Sequence, residues 1–401
     1  MDAEKKARML LEAFSDDAGG RQVASAANQR VTEKVAAQWE AAGCLVSRQE
    51  FPCFRWQRHD MRLCSGDRLF SAHISPYSHA CRLKTPLVRA SSTQELRRMD
   101  GAGRIVLLDG ELTRHQLMPK RFPFFQDAMH QEITNLLEGR GFAAVVAATG
   151  RDPYMAGGVY PFPLIEDGDF LLPSAYLTSE EGEELAQEVG KTVELTIDTE
   201  RIHAVAANVV GSWGDRGGGK KIVVCAHMDT KLDTPGALDN AAGLVVLCLL
   251  ADKLQGYSGP PCVELVAFNG EEHYAVPGQV TYLERHGKDL SAILLALNVD
   301  GPGYQGRASA YSVYQWPEDW SEIFADTIAS HGSSVMGENW YQGDHMMFVQ
   351  QGVPALAVTS EPIEEMLAVA HTVRDTVEQV CPERLVQVAA CLHDLILTLA
   401  G

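Results

Sequence analysis

The stretch from Ile222 to Gly243, IVVCAHMDTKLDTPGALDNAAG, decides the fold of this chain. Its apolar start, 222–226, is typical of a buried parallel strand, and a Pro-Gly turn then leads into a helix predicted over 241–254. His227 and Asp229 follow the strand two residues apart and therefore lie on one side of an extended chain. Because ligands of open α/β sheets bind beyond the carboxyl ends of strands, this junction is a candidate site.

Ionisable residues follow other apolar runs in the same way. The run 262–269 leads to Glu271-Glu272, the run 292–299 ends at Asp300, and a strand predicted over 355–359 precedes His371-Thr-Val-Arg-Asp375. A lone His-x-Asp, or one pair of adjacent carboxylates, is usually a solvated surface feature. Because several strand ends each deliver such a group, a shared site at one edge of the sheet is favoured. Imidazole with carboxylates is a donor set typical of metal sites.

In chain order the motifs are His227-Met-Asp229, Asp239-Asn240, Glu271-Glu272, Asp300 and His371-Thr-Val-Arg-Asp375. This ordered set resembles the di-zinc (co-catalytic) aminopeptidases, a family related to bacterial leucine aminopeptidase and glutamate carboxypeptidase II. Each motif alone is weak, whereas the set in the family order is specific. The resemblance implies an α/β fold, with a mostly parallel central sheet flanked by helices on both faces and an inserted smaller β-rich domain.

The resemblance also implies a ligand set for two divalent metal ions. Asp239 would bridge the ions, His227 and Asp300 would complete one site, and Glu272 and His371 would complete the other. Zinc is the metal that the resemblance implies. Manganese and cobalt stay open, because oxygen and nitrogen ligands suit all three ions.

Catalytic roles follow from the same resemblance. Glu271 would be the general base, taking a proton from a metal-bridging water and passing it to the leaving amine. Asp229 would hold His227 through its second ring nitrogen. Relatives carry a Tyr shortly before an Asp-His pair, which places an oxyanion-stabilising group near Tyr341, although segment 340–344 is one residue shorter than some family spacings.

Three other residues near the motifs leave alternatives open. Asp375 either supports a ligand or caps the following turn. Asp233 is a carboxylate that could compete near the metals. His273 stands where relatives often carry a Gly-Ser pair, and it is either a polar group at the rim of the site or a surface residue.

The predicted activity is that of a metallo-aminopeptidase, an exopeptidase that hydrolyses the N-terminal bond of peptides. Alternatives on the same fold are a carboxypeptidase or a hydrolase of N-acyl or amide compounds. No Arg cluster that would favour a carboxylate-terminal substrate is evident near the motifs. A non-catalytic binding protein is disfavoured, because Glu271 and all five implied ligands are intact.

At 401 residues with 46% hydrophobic content, the chain is long enough for two domains. From about Gly66, short β-like runs separated by turns resemble a protease-associated insert. We therefore predict a discontinuous catalytic domain over 1–65 and 198–401 and an insert over 66–197. The insert either shapes substrate access or is purely structural, and its segment 112–127, with several Phe residues, is either a lid or a dimer contact.

The net charge of −19 argues against nucleic acid and anionic membranes as partners. No run reaches the ~18 apolar residues of a transmembrane helix, and the charged N-terminus has no signal-like apolar core. Nine cysteines without tight spacing favour a reduced, cytoplasmic setting. Peptides are the expected partners, and the composition is compatible with a monomer or a homo-oligomer.

Overall fold

The computed structural model describes residues 2–15, 19–123, 126–152, 155–214, 219–273, 276–287 and 290–400. The chain divides into a larger unit, Met1–Cys53 with Ala204–Gly401, and a smaller unit, Phe54–His203. Phe124 and Phe125, in the segment predicted to be a lid or a dimer contact, lie outside the described residues.

The strands are β1 (Leu45–Ser65), β2 (Arg68–Phe70), β3 (His73–Ile74), β4 (Cys81–Ala90), β5 (Ile105–Leu108), β6 (Ala144–Thr149), β7 (Ser174–Thr178), β8 (Thr192–Trp213), β9 (Lys221–His227), β10 (Cys262–Phe268), β11 (Ile293–Val299), β12 (Ala308–Tyr314), β13 (Ser334–Met336) and β14 (Ala355–Glu361). The helices are α1 (Ala3–Phe14), α2 (Ala26–Ala41), α3 (Thr93–Arg98), α4 (Ala128–Gly139), α5 (Ser179–Ala186), α6 (Ala242–Lys253), α7 (Pro277–His286), α8 (Ser321–Ser330), α9 (His345–Val349), α10 (Ile363–Leu367) and α11 (Pro382–Ala400).

The unit boundaries lie inside two long strands, whereas the predicted boundaries lay near residues 65 and 197. In β8, residues 192–197 pair with β4 and residues 209–213 pair with β10. The strand therefore continues while its partners change from one unit to the other. Hydrophobic patterning marks where an element begins and ends, but it carries no mark for a change of partner within one strand.

The sheet of the larger unit has the order β13-β12-β14-β11-β9-β10-β8. β9 pairs in parallel with both β10 and β11, and β11 pairs in parallel with β14. Antiparallel pairs occur nearer the sides, between β8 and β10 and between β12 and β14. The central strands are buried from end to end, as parallel strands covered on both faces should be.

Helices cover both faces of this sheet. Leu265 and Ala267 of β10 belong to a core that also contains α6 side chains, whereas the ring of Phe268 points to the opposite face and lies 5.3 Å from the Tyr282 ring of α7. The prediction of a mostly parallel sheet flanked by helices on both faces is confirmed.

Helix α6 is the central buried helix of the larger unit. Every residue from Ala242 to Ala251 is buried, and the helix packs against α1, α2, α11 and β9. A helix that is apolar all round needs such cover, because it has no face to give to water. Its position fixes the turn before it, which carries Asp239.

The smaller unit has its own α/β core. Its sheet has the order β8-β4-β5-β6-β7-β3, in which β4, β5, β6 and β7 form consecutive parallel pairs. Leu107 of β5 packs in one core with Leu185 of α5, and Leu108 packs in a second core with Leu137 of α4. Helices therefore lie on both faces here too, which adds α-structure to the insert that the sequence predicted as β-rich.

Among the described residues, no helix is long and apolar enough to cross a membrane. All nine cysteines lie among the described residues, and none of them forms a disulfide.

The buried environment of α6 generates a stability prediction. Leu247→Ala, at a fully buried position, should lower the free energy of unfolding by about 2–5 kcal/mol, because the removed atoms leave a cavity that the core fills only in part. Leu397 of α11 is 44% exposed, and Leu397→Ala is the matched control. This change should alter the free energy of unfolding by less than about 0.5 kcal/mol. Thermal unfolding followed by circular dichroism measures both. Equal effects of the two changes would contradict the packing assigned to α6.

Candidate metal centre

The five implied metal ligands come together at the carboxyl edge of the larger unit's sheet. His227 is the last residue of β9, Asp300 directly follows β11, and Glu272 lies in the turn after β10. Asp239 lies in the turn before α6, and His371 follows α10. Because β9, β10 and β11 are parallel neighbours, their ends meet at one edge.

The Asp239 carboxylate stands between the two histidines. Its Oδ1 lies 3.1 Å from Nε2 of His227, and its Oδ2 lies 3.0 Å from Nε2 of His371. Each oxygen therefore faces a different imidazole, which is the arrangement that a carboxylate bridging two ions requires.

Two groups of potential ligands share this carboxylate. His227, Asp239 and Asp300 form the first group, and Asp239, Glu272 and His371 form the second; in each group the ligand atoms lie within 4.8 Å of one another. Nε2 of His227 lies 3.5 Å from Asp300 Oδ1, and Nε2 of His371 lies 2.6 Å from Glu272 Oε1. The donors are oxygen and nitrogen without thiolate, a set that suits zinc, manganese or cobalt.

The electrostatics of the cluster call for added positive charge. Burial lowers the pKa of His227, but Asp300 and Asp239 oppose it and hold that pKa well above its ordinary value. At His371 burial likewise lowers the pKa, and Glu272 and Asp239 raise it well above its ordinary value. Buried carboxylates at this density favour the binding of cations, and the residues of the two groups would hold two divalent ions.

The His227 ring is oriented by the main chain. Its Nδ1 lies 3.1 Å from the carbonyl oxygen of Asp229, while the Asp229 carboxylate oxygen is 3.9 Å away. A carbonyl oxygen only accepts, so Nδ1 carries the hydrogen and Nε2 is left free to bind a metal. Asp229 therefore orients His227 through its backbone carbonyl rather than through its side chain.

The Asp229 carboxylate holds the turn that carries the acidic pair. Its Oδ1 accepts hydrogen bonds from the backbone N–H groups of Gly270 (2.8 Å) and Glu271 (3.1 Å), and its Oδ2 accepts from Glu272 N–H (2.9 Å). Three donors on one buried carboxylate fix the turn after β10. Asp229 thus positions Glu271 and Glu272 together.

Asp375 holds the bridging residue in a similar way. Its carboxylate is fully buried and accepts from the N–H groups of Leu238 (2.6 Å) and Asp239 (3.0 Å). Burial, with the charge of Asp239, raises the pKa of Asp375 to about 7, while the two backbone hydrogen bonds lower it. Of the alternatives open for Asp375, the structure favours support of a ligand, through the main chain of the Asp239 turn.

Arg21 is a buried cation that the sequence motifs do not reveal. It is 1% exposed, and its guanidinium donates to the carbonyl oxygens of Met228 (3.1 Å), Pro235 (2.7 Å) and Gly236 (2.9 Å). These carbonyls belong to the loop between β9 and Asp239, so Arg21 closes that loop from inside. A single Arg far away in the sequence carries no pattern that would have predicted this contact.

Glu271 lies beside the ligand groups among other carboxylates. Burial raises the pKa of Glu271 well above its ordinary value; His227 lowers it, and Glu272 and Asp344 raise it further. Asp344 is also buried, and Gln279 of α7 donates a hydrogen bond to it. Burial raises the pKa of Asp344 to about 7. The Gln279 hydrogen bond thus ties α7 to the residue that precedes α9.

The remaining candidates lie in different surroundings. Tyr341 is 69% exposed, with its ring 6.1 Å from the Tyr314 ring. Asp233 is exposed and belongs to neither ligand group found among the described residues. His273 is buried rather than on the surface. Lys231, which sequence reasoning passed over, places its Nζ 3.5 Å from Glu272 Oε2.

The Arg21 contacts predict a structural defect next to the metal ligands. Arg21→Met should lower the free energy of unfolding by about 3 kcal/mol or more, because several buried carbonyls lose their donor. It should also weaken metal retention during dialysis. Arg48→Met is the control, since Arg48 makes an exposed pair with Glu33. Unfolding midpoints and metal content by mass spectrometry test this, and full stability of Arg21→Met would refute it.

The position of Asp239 predicts a difference in metal stoichiometry. Asp239→Asn should lower metal content at both sites, whereas Asp300→Asn, which alters one group only, should spare about one ion per chain. Metal-to-protein ratios after equilibration with Zn²⁺ measure this. If both variants keep the wild-type ratio, Asp239 does not bridge.

Comparison with known proteins agrees with this geometry. Residues 208–396 match peptidase family M28. Aminopeptidase YwaD of Bacillus subtilis (strain 168) is 24% identical over 275 residues, which are 65% of this chain and 58% of that protein. The match thus spans little more than half the length of this relative.

Two solved structures share the fold over almost the whole chain. BSAP, a zinc aminopeptidase from Bacillus subtilis, has a TM-score of 0.75 at 19% identity and covers 99% of this chain and 95% of its own. The aminopeptidase from Aneurinibacillus sp. strain AM-1 has a TM-score of 0.74 at 18% identity, covering 98% and 93%. The resemblance to the co-catalytic aminopeptidases is confirmed, while the likeness of the insert to a protease-associated domain stays a prediction. Residues 208–396, which carry all five implied metal ligands, are thus similar to peptidase family M28.

Proposed function

We propose that this protein is a metal-dependent aminopeptidase that hydrolyses the N-terminal bond of peptides. The observation that carries the proposal is the Asp239 carboxylate, which faces a histidine with each of its oxygens. Around it lie Asp300 and Glu272, one in each ligand group, and Glu271 lies next to the second group. The three similar proteins described above are aminopeptidases by name, and one of them is named as a zinc enzyme.

Two ions would be held by His227, Asp239 and Asp300 on one side and by Asp239, Glu272 and His371 on the other. When bound, such a pair polarises a substrate carbonyl and makes a water molecule acidic enough to attack at neutral pH. Zinc is the metal we propose, because the donor set fits it and a relative with the same fold is a zinc aminopeptidase.

Glu271 is the residue that we propose moves the proton. It takes the proton from the attacking water as the new C–O bond forms, and it passes that proton to the amine nitrogen as the C–N bond breaks. The hydrogen bond from its N–H to Asp229 keeps the Glu271 backbone in place. Its carboxyl group, surrounded by other carboxylates, favours proton uptake.

A carboxypeptidase or an amide hydrolase on the same fold remains the alternative. Lys231 places an ammonium group beside the second ligand group, with its Nζ 3.5 Å from Glu272 Oε2. Recognition of a substrate carboxylate usually uses a planar Arg fork instead of an ammonium point charge. The aminopeptidase reaction therefore fits these residues better. A comparison of which substrates are cleaved distinguishes the two activities.

The test compares wild type with Glu271→Gln on Leu-, Ala-, Arg- and Glu-p-nitroanilides after reconstitution with Zn²⁺, Mn²⁺ or Co²⁺. We expect metal-dependent release of the amine by wild type and a loss of about 10²–10⁴-fold in kcat for Glu271→Gln, because general-base catalysis contributes on that order. Metal content should stay at the wild-type level, since Glu271 belongs to neither ligand group.

N-acetylated peptides and C-terminally blocked peptides complete the experiment. An aminopeptidase cleaves the C-terminally blocked peptides and leaves the N-acetylated ones intact. The opposite preference would replace this proposal with a carboxypeptidase or an N-acyl hydrolase. Turnover by Glu271→Gln at the wild-type rate would remove Glu271 from the mechanism.

A further inference from the structure

A pocket of about 630 Å³ lies in the smaller unit, where parallel strands end. Ser91 follows β4, Asp109 follows β5, Arg151 comes two residues after β6, and Ser179 follows β7; all four line the pocket. The parallel pairing of β4 through β7 brings these ends to one edge. Open α/β sheets bind ligands at this edge, and the volume lies in the range of small-molecule sites.

The lining of this pocket is rich in groups that bind oxyanions. Arg89, Arg114 and Arg151 contribute guanidinium groups, and hydroxyl groups come from Ser91, Thr113 and Ser179. Guanidinium groups match carboxylate and phosphate oxygens in pairs of parallel hydrogen bonds. The chain has a net charge of −19, whereas three arginines line this one pocket.

Two of the arginines are held in place. Arg89 Nε lies 2.7 Å from Asp109 Oδ2, and the Ser91 hydroxyl donates to the same carboxylate. The Arg151 guanidinium lies over the Tyr160 ring, 5.0 Å from its centre. Side chains that are already ordered lose less conformational entropy when a ligand binds.

The acidic groups near the pocket leave two arginines to meet a ligand. Asp109 is paired with Arg89, and Asp152 is buried with an oxygen 3.0 Å from Nδ1 of His115. Glu183 is an exposed carboxylate on the lining. Glu180 accepts a hydrogen bond from Tyr160, and its charge is also felt by Arg151.

Arg114 lies beyond the carboxyl end of β5. It is exposed and directly follows the 3₁₀ turn Gly110–Thr113, which succeeds β5. We propose that this pocket binds a small anionic molecule bearing phosphate or carboxylate groups. Arg114 and Arg151 are the residues that bind those groups. This is a binding site of the smaller unit in its own right, and it does not depend on the chemistry proposed for the metal centre.

Calorimetric titration of the metal-loaded protein tests the site. The probes are inorganic phosphate and succinate, with succinamide as the neutral counterpart of succinate. The double variant Arg114→Gln/Arg151→Gln removes both cations, and Arg104→Gln is the control, because Arg104 is a half-buried arginine of the same unit that does not line the pocket. Phosphate and succinate together distinguish a phosphoryl ligand from a carboxylate ligand.

We expect at least one anion to bind wild type and Arg104→Gln alike and to bind the double variant at least about tenfold more weakly, as the loss of charge-assisted hydrogen bonds implies. Succinamide should not bind. Anion binding at the metal centre would persist in the double variant and is told apart in that way. If the double variant unfolds at a lower temperature than wild type, Arg114→Glu, a single change at an exposed position, replaces it.

Equal affinity of wild type and variant for both anions would overturn the proposal. So would binding of succinamide as tight as that of succinate, because the pocket would then not select for charge.

Discussion

The ligand cluster of the larger unit is arranged around one carboxylate, that of Asp239, which lies between two histidines. Its two oxygens lie 3.1 Å and 3.0 Å from the Nε2 atoms of His227 and His371. Burying several carboxylates side by side is unfavourable unless cations compensate them. The same carboxylates raise the pKa of both histidines, because they stabilise positive charge on the imidazole rings. Two divalent ions would supply that charge, and they would also supply the chemistry of the proposed reaction.

The side chains that position this cluster work mainly through the backbone. Asp229 binds the N–H groups of the turn after β10, and Asp375 binds those of the Asp239 turn. Arg21 binds the carbonyls of the loop between them. A charge buried with several hydrogen bonds to the main chain defines the position of a whole loop, which metal geometry requires within fractions of an ångström.

The same topological rule places both sites discussed here. In each unit, consecutive parallel strands end at one edge, and the loops beyond them carry the ionisable residues. The chemistry differs because the residue types differ: carboxylates and histidines gather around Asp239, whereas arginines and hydroxyls gather near Arg151. The carboxyl edge of a parallel sheet therefore sets the position of a site, and the loop residues beyond it determine what binds.

The sequence by itself determined the fold class and the strands that carry the site, and through a family resemblance it indicated the ligand set, because apolar periodicity and short motifs are local properties of the chain. His227, Asp239, Glu271 and Asp300 could be named in this way. Tertiary structure decided what those motifs leave out: the carbonyl rather than the carboxylate of Asp229 orients His227, the units change inside β8, and Arg21 closes the metal-bearing loop. Contacts between residues some 200 positions apart, such as Arg21 with Met228, depend on how the chain folds back on itself, and no local pattern encodes them.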